Sequence, residues 1–185
     1  MRGRGGSSNR QVRRPPNGLD TMVILLTDVT DSTALTERLG DVAFRAKADQ
    51  LDTAVRSVVG DCGGEVVEGV LVGDGNLAVF RSAPRAIECA SHAHDCANSV
   101  GFRLHVGLHA GDVIRSATNV HGGAVNIAAR VCSQAAPGQT LVSESVRNLA
   151  RTWAATEFTD HGLHRLKGIT DPHRLYAVTT QTSRT

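Results

Sequence analysis

Two aspartates stand where segments that read as β-strands end. Asp28 follows the apolar run 22–27, and Asp74 lies in a Gly-Asp-Gly sequence between two β-rich segments. Backbone N–H groups of 29–33, at the predicted start of a helix, would attract an anion beside Asp28. Two neighbouring carboxylates and an anion-binding turn predict a Mg²⁺ and polyphosphate site. The alternative is that Asp28 caps the helix and Asp74 is only a turn residue.

These residues need a layered scaffold, and the hydrophobic pattern predicts one. Short β-rich runs predict strands at 22–27, 65–72, 77–80, 102–108, 111–115, 140–142, 156–160, 163–166 and 174–178. Helical periodicity and capping residues predict helices at 32–39, 42–59, 83–99 and 143–150, and one within 120–134. Because strands and helices are interleaved, with a hairpin across Asp74, we expect a mixed sheet covered by helices.

The overall charge of +2 hides an uneven distribution along the 185 residues. The first 21 residues hold five arginines and one acid, so the remainder carries a net charge of −2. We expect 1–21 to be a disordered, solvated tail and nucleic acid to be an improbable partner, since the tail has no aromatic residue for stacking. The longest purely apolar run, 22–26, is far shorter than the ~20 residues of a membrane span. With no secretory signal pattern either, the chain is expected to be soluble and cytoplasmic.

Four cysteines and a histidine-rich segment offer a superficial metal site. Cys62, Cys89, Cys96 and Cys132 form no CxxC pair, and reduced thiols are expected in a domain without a signal. In the segment 89–96 the two cysteines share an apolar helical face, whereas its two histidines point elsewhere. We therefore expect core cysteines, and no role is assigned to His105 or His109.

Five segments, in order, resemble the catalytic domain of class III nucleotide cyclases. They are Leu-Thr-Asp-Val-Thr-Asp-Ser-Thr at 26–33 with Leu-Gly-Asp at 39–41, Gly-Asp-Gly-Asn-Leu-Ala-Val-Phe at 73–80, Val-Gly-Leu-His-Ala-Gly at 106–111, Gly-Gly-Ala-Val-Asn-Ile-Ala-Ala-Arg at 122–130, and Leu-Lys-Gly at 166–168 with Leu-Tyr-Ala-Val at 175–178. The resemblance implies an α+β sandwich with a ferredoxin-like βαββαβ core and a mixed, mainly antiparallel sheet. The expected domain is 22–180, followed by a tail at 181–185.

The same resemblance implies an activity and an assembly. The family converts ATP or GTP to a 3′,5′-cyclic nucleotide and pyrophosphate, using two Mg²⁺ or Mn²⁺ ions per site. Asp28 and Asp74, together with Val29, match the positions that hold the metals. Two such ions can clamp both oxygens of an in-line displacement and offset its negative charge.

Further residues match positions that bind the nucleotide. In a head-to-tail homodimer with composite sites, Asn126 would come from the partner and orient the ribose. Arg130, four residues later on the same helical face, would stabilise the charge on the α-phosphate. The remaining substrate contacts implied by the resemblance are Thr30, Ser32 and Thr33 in the turn and Lys167 at the triphosphate.

The base-reading positions depart from the family pattern. Adenylate-selective members carry a lysine four residues before the hairpin aspartate and an aspartate shortly before the Val-Asn-x-Ala-Ala-Arg motif. This chain has Val70 at the first of these positions and Asn119 at the second. A different alignment puts Glu68 at the lysine position, and Glu would accept from guanine N1–H and N2–H. An amide such as Asn119 can donate or accept, so it discriminates poorly.

Two functions therefore remain open on the sequence. The first is a purine nucleotide cyclase that prefers ATP, with GTP as the second substrate. The alternative is a cyclase-like module that binds nucleotide or only dimerises, with little turnover, which the altered base-reading positions favour.

Overall fold

The structure, a computed structural model, describes residues 18–68, 74–116, 119–152 and 156–180. In these ranges the strands are β1 (Leu19–Val29), β2 (Glu65–Val66), β3 (Asn76–Phe80), β4 (Leu104–Arg115), β5 (Val120–His121), β6 (Thr140–Ser143), β7 (Thr156–His164) and β8 (His173–Thr180). The helices are α1 (Ser32–Leu39), α2 (Asp41–Asp61), α3 (Ala83–Ser99), α4 (Gly123–Cys132) and α5 (Glu144–Ala150).

The strands form one sheet in the order β2-β3-β1-β4-β6-β8-β7, and β5 pairs with β4. The β4–β6 pair is parallel, while the other pairs between described strands are antiparallel. The expected α+β fold with a mixed, mainly antiparallel sheet is confirmed.

Successive side chains of β1 point to opposite faces of the sheet, and both faces are apolar. Val23 and Leu25 pack in the same cluster as the buried side chains of α2 and α3. Ile24 and Leu26 pack instead in the cluster that contains the buried residues of α4. We call these the two-helix face and the α4 face of the sheet.

Several predicted strands have different bounds in the structure. β1 begins at Leu19, three residues before the predicted domain start, because β4 is long enough to pair Leu19 with Ile114. The strands predicted at 102–108 and 111–115 are one continuous strand, β4. Likewise 156–160 and 163–166 were predicted as separate strands, but β7 runs through a bulge near Gly162.

The hairpin that carries Asp74 also differs in detail. β2 and β3 are antiparallel as expected, but β2 is described as a strand only at Glu65–Val66. Glu68 lies in a turn, and positions 69–72 of the predicted strand fall outside the described residues. The described strand β2 therefore ends before Glu68.

The remaining predictions concern the cysteines, membrane-spanning helices and the two ends of the chain. The four cysteines are free thiols, as expected. No helix in the described ranges is long and apolar enough to cross a membrane. Most of the predicted tail 1–21 and all of 181–185 lie outside the described residues.

Candidate active site

A buried threonine fixes the strand ends from which the site is built. Thr27, at the end of the buried part of β1, accepts a hydrogen bond on Oγ1 from the Asn76 backbone N–H at 3.1 Å. The same two residues are partners in the β1–β3 ladder. This contact holds the beginning of β3 against the end of β1, so that Asp28 and Gly75 line one cavity.

That cavity has a volume of about 210 Å³ and lies between the strand ends and the second half of α4. Ala129 and Cys132 of α4 form its other wall, and Asp28 is exposed. Burial, and then the nearby charge of Asp28, raises the pKa of the Cys132 thiol to about 12. Cys132 therefore stays a neutral thiol, which donates to the His105 carbonyl at 3.3 Å.

A larger cleft, of about 420 Å³, follows the turn after β1. Asp28, Val29, Ser32 and Thr33 line it. Because the N–H groups at the start of α1 have no partner within the helix, this cleft suits a phosphate group. Asp31, the N-cap residue, adopts a left-handed conformation with φ 51° and makes no side-chain cap bond.

Thr30 does not share that cleft. It lines a separate cavity on the other side of the turn and is buried. The structure thus brings Asp28, Val29, Ser32 and Thr33 together and separates Thr30 from them.

Asp74 is half-buried just before β3 and lines a small cavity of about 60 Å³ against α2. Gly75 belongs both to this cavity and to the one that contains Asp28, so the two aspartates occupy adjoining spaces. Neither carboxylate has a hydrogen bond or ion pair with another residue in the described ranges. Two unpaired carboxylates next to a phosphate-sized cleft fit Mg²⁺, which binds one or two carboxylates together with substrate phosphates.

The metal would depend on few protein ligands. Within the described parts of the chain, no three His, Cys, Asp or Glu side chains converge to hold a metal ion.

Glu68 is held by a residue that the sequence analysis did not single out. Arg56 of α2 forms an ion pair with Glu68 and a second with Asp52 at 2.7 Å. These hydrogen bonds, that of Glu68 first, raise the pKa of the Arg56 guanidinium. Glu68 is therefore turned toward the two-helix face of the sheet. Val70 lies outside the described residues.

Asn119 is half-buried just before β5, and its side-chain oxygen already accepts a hydrogen bond. Its Oδ1 accepts from the Val120 backbone N–H at 2.8 Å. Its amide nitrogen has no partner among the described residues. Asn119 consequently keeps an unpaired N–H donor, while its Oδ1 has one of its two lone pairs already bonded.

Helix α4 carries Asn126 and Arg130 on its exposed side, one turn apart. Its buried side rests on glycines of β4: a Cβ added to Gly107 would lie 2.2 Å from the Cys132 backbone nitrogen. At Gly111 an added Cβ would lie 3.0 Å from the Ala124 Cβ. Asn126 and Arg130 are not among the residues lining the cavities that contain Asp28 or Asp74 in the same chain.

Lys167 is exposed in a tight turn between β7 and β8, not in a strand. The turn is closed by a hydrogen bond from the Ile169 N–H to the Leu166 carbonyl at 3.0 Å, and Leu166 is buried. The Lys167 ammonium group has no hydrogen-bond or ion-pair partner in the described part of the chain.

His109, to which the sequence analysis assigned no role, is buried under α4. Its Nδ1 lies 2.9 Å from the Ser143 Oγ, and its ring contacts that of His173 edge-on at 6.0 Å. Burial, and then the proximity of His173, lowers the pKa of His109 to about 4. It is therefore neutral and helps support the strands beneath α4. No spacing signal in the sequence indicates these contacts, which depend on three separate strands.

Comparison with known proteins agrees with the fold. Residues 15–180 match the family described as Adenylate and Guanylate cyclase catalytic domain, and the chain belongs to this family. An uncharacterized protein of Mycobacterium tuberculosis, Rv2212, is 32% identical over 154 residues, or 82% of this chain and 39% of that protein. The chain thus spans about two fifths of that relative's length.

Solved structures show the same architecture. The adenylyl cyclase CyaB from P. aeruginosa superposes with a TM-score of 0.79 at 18% identity, covering 89% of this chain and 96% of that one. An adenylate/guanylate cyclase/hydrolase from Silicibacter pomeroyi gives a TM-score of 0.77 at 26% identity, covering 88% and 98%.

Proposed function

We propose that the chain is a nucleotide cyclase that converts ATP or GTP to the 3′,5′-cyclic nucleotide and pyrophosphate. One observation carries the proposal: the unpaired carboxylates of Asp28 and Asp74 adjoin a phosphate-sized cleft at the ends of neighbouring strands. In the reaction the ribose 3′-oxygen bonds to the α-phosphorus as the bond to the bridging oxygen of pyrophosphate breaks. The proton of the 3′-hydroxyl is released.

Each residue has a part in this proposal. Asp28, Asp74 and the Val29 carbonyl would hold Mg²⁺ or Mn²⁺, which supplies charge neutralisation at the triphosphate and a more acidic 3′-hydroxyl. The N–H groups and hydroxyls of Ser32 and Thr33 bind phosphate oxygens. Lys167 offsets the charge of the leaving pyrophosphate.

Asn126 and Arg130 must serve a second copy of the chain. They are exposed on α4, apart from the cavities of Asp28 and Asp74 in their own chain. A head-to-tail homodimer would bring the pair to the partner's nucleotide, where Asn126 orients the ribose and Arg130 stabilises the α-phosphate.

The activity test is an assay of cyclic nucleotide from ATP and from GTP with Mn²⁺. Asp74→Ala should abolish product, and the control Asp95→Ala, at an exposed aspartate of α3 that lines none of these cavities, should not. Arg130→Ala should lower turnover about 10²–10³-fold. No product above the Asp74→Ala level from either nucleotide would overturn the proposal.

Mixing the two inactive variants tests the composite site. A heterodimer of Asp74→Ala and Arg130→Ala chains contains one site with both wild-type contributions, so the mixture should regain roughly a quarter of wild-type activity. If the mixture stays inactive although both variants dimerise, the two chains do not share a site.

The choice of base depends on Asn119 in this proposal. The donor that it presents suits guanine O6, whereas the 6-amino group of adenine needs an acceptor. The sequence analysis favours ATP, so turnover of ATP and of GTP must be compared directly. Asn119→Asp supplies an acceptor and should move the ATP-to-GTP ratio toward ATP by about 10-fold or more. An unchanged ratio would show that Asn119 does not contact the base.

The second candidate function is a nucleotide-binding or dimerisation module with little turnover. The Arg56–Glu68 ion pair favours it, because the carboxylate that could read guanine is already neutralised. Nucleotide binding without product, in the wild-type chain with Mn²⁺, would support this candidate. Contact of Glu68 or Val70 with the base stays a prediction. Glu68→Lys tests it for Glu68: unchanged use of ATP and GTP would show that Glu68 does not contact the base.

A further inference from the structure

A β-bulge in β7 brings two histidines together. The register of β7 against β8 shifts between Asp160 and Gly162, so His161 is an extra residue in the strand. In a regular strand, residues three apart point to opposite faces. A bulge can re-aim a side chain, and here the centroids of the His161 and His164 rings are 5.2 Å apart. The bulge therefore allows the two imidazoles to meet.

Contacts within the hairpin hold this bulge in place. Gly162 has φ 89°, which glycine adopts without strain, and its N–H donates to the Asp160 Oδ1 at 2.9 Å. The same carboxylate accepts from the Arg174 Nε at 3.1 Å and from its Nη2 at 2.9 Å. These bonds fix the backbone from which His161 projects. They also pair the charge of Arg174, which would otherwise repel a cation.

Three atoms that can carry lone pairs meet at the two rings. His164 Nε2 lies 3.1 Å from the His161 Nδ1 and 3.1 Å from the His161 carbonyl oxygen. On the other side of the His164 ring, Nδ1 lies 3.3 Å from the Gln134 Oε1, which accepts hydrogen bonds and cannot donate one. With the proton on Nδ1, the Nε2 lone pair of a neutral His164 faces the His161 carbonyl. Two acceptors at this distance repel each other unless His164 takes a second proton or a cation lies between them.

The separation of the two ring nitrogens fits a single metal ion. Zn²⁺ binds imidazole nitrogens at about 2.0–2.1 Å with tetrahedral geometry, which places two such nitrogens about 3.3 Å apart. The observed 3.1 Å is close to this value, so the rings need only tilt about their side-chain torsions. Gln134 would supply the hydrogen-bonded support that metal-binding histidines usually have. His161 is exposed and His164 is half-buried, which leaves room for water at the ion.

We propose that His161 and His164 chelate one divalent transition-metal ion such as Zn²⁺, with the His161 carbonyl and water as the other ligands. Imidazole suits Zn²⁺, Ni²⁺ and Cu²⁺, whereas Mg²⁺ takes oxygen ligands, so this site differs in chemistry from Asp28 and Asp74. It uses two side chains, in agreement with the lack of any three-residue cluster in the described ranges. The site does not require the chain to be a cyclase.

The test measures Zn²⁺ binding to the full chain by calorimetry, in a large excess of Mg²⁺ that occupies sites made of oxygen ligands. One Zn²⁺ should bind per chain. Zn²⁺ at about ten times its dissociation constant should raise the melting temperature by roughly 3–6 °C. Co²⁺ as a probe should give the visible absorption of nitrogen and oxygen ligation, without the thiolate-to-cobalt charge-transfer bands that cysteine ligation would produce.

Matched variants locate the ion. His161→Asn/His164→Asn should abolish binding, and His161→Asn alone should weaken it about 10-fold or more. The control His92→Asn/His121→Asn removes two exposed histidines elsewhere and should bind Zn²⁺ like the wild type. Gln134→Ala should weaken binding by about 10-fold, since the partner that orients a metal-binding histidine usually contributes this much. Urea unfolding checks that each variant is folded.

The proposal fails if the wild-type chain binds no Zn²⁺ in excess Mg²⁺, which would leave a shared proton as the link between the two rings. It fails equally if Zn²⁺ binds His161→Asn/His164→Asn as tightly as the wild type. Loss of that binding in Asp74→Ala would then place the ion in the proposed active site. Cyclic nucleotide is not measured in these experiments, so their outcome is independent of the proposed function.

Discussion

The two faces of the sheet are packed in different ways. On the two-helix face, long side chains such as Leu51 of α2 and Phe80 of β3 are buried in one large apolar cluster. On the α4 face, a single short helix covers the sheet through Gly107, Gly111 and small side chains. The first face relies on buried apolar area, whereas the second relies on close backbone approach.

We expect this difference to separate substitutions that affect the free energy of unfolding from those that affect turnover. The residues that we assign to the reaction belong to strand ends, the start of α1, α4 and the turn that carries Lys167, and their polar side chains are exposed or half-buried. A change on the two-helix face should therefore lower the free energy of unfolding without altering turnover per folded molecule. A change under α4 should move Asn126 and Arg130 and so lower turnover.

The largest effect is expected from Gly107→Ala. Its Cβ would meet the backbone of Cys132 at 2.2–2.4 Å, so α4 must shift. We expect a loss of about 3 kcal/mol in unfolding free energy, by overpacking, and a loss of turnover of at least about 10-fold in the folded fraction. Urea unfolding and the cyclic nucleotide assay, at a temperature where the variant is folded, measure both.

Ile87→Ala, in α3, is the matched control on the two-helix face. Ile87 is 1% exposed, and truncation should cost about 2–5 kcal/mol of unfolding free energy. Its turnover per folded molecule should stay at the wild-type value. Equal losses of turnover in the two variants would contradict the separation of the faces.

The next largest effect is the pH dependence that His109 gives to the free energy of unfolding. Its pKa is about 4 in the folded chain, against an ordinary value of 6.5, so the unfolded chain takes up the proton first as pH falls. His109 therefore costs no stability above pH 6.5, and the folded chain loses up to about 3 kcal/mol between pH 6.5 and 4.

His109→Gln keeps a group that can bond to Ser143 and removes the titration. Its unfolding free energy, measured in urea across pH 7 to 4, should fall less steeply than that of the wild type. Parallel curves for the two proteins would show that His109 is not the group responsible.

The sequence predicts those features that local chemistry determines. The bounds of α3 match the structure at both ends, since Ser82 and Pro84 mark its start and small apolar residues its buried face. Asp28 is correctly placed at a strand end because the apolar run before it is unambiguous. The predicted break at 109–110 is wrong: β4 is continuous, and the adjoining Gly111 allows the close approach of α4 instead of ending a strand.

Other features depend on contacts between distant segments. The first residues of β1 become a strand by pairing with β4, although nothing in their composition favours one. The Arg56–Glu68 ion pair and the His109–Ser143–His173 group join separate elements. Such contacts follow from tertiary packing and leave no periodic signal in the chain.

The smallest effect is expected from Arg56→Gln, at the boundary between the two faces of the sheet. Arg56 and Glu68 are 38% and 66% exposed, so losing the pair should cost less than about 1 kcal/mol of unfolding free energy. Because Glu68 lies toward α2, its release should change the ATP-to-GTP ratio less than Asn119→Asp does. Both quantities are measured against Arg85→Gln, which breaks an exposed ion pair on α3. A larger change in the ratio would mean that the freed Glu68 reaches the base, and that Arg56 restrains a residue of the active site.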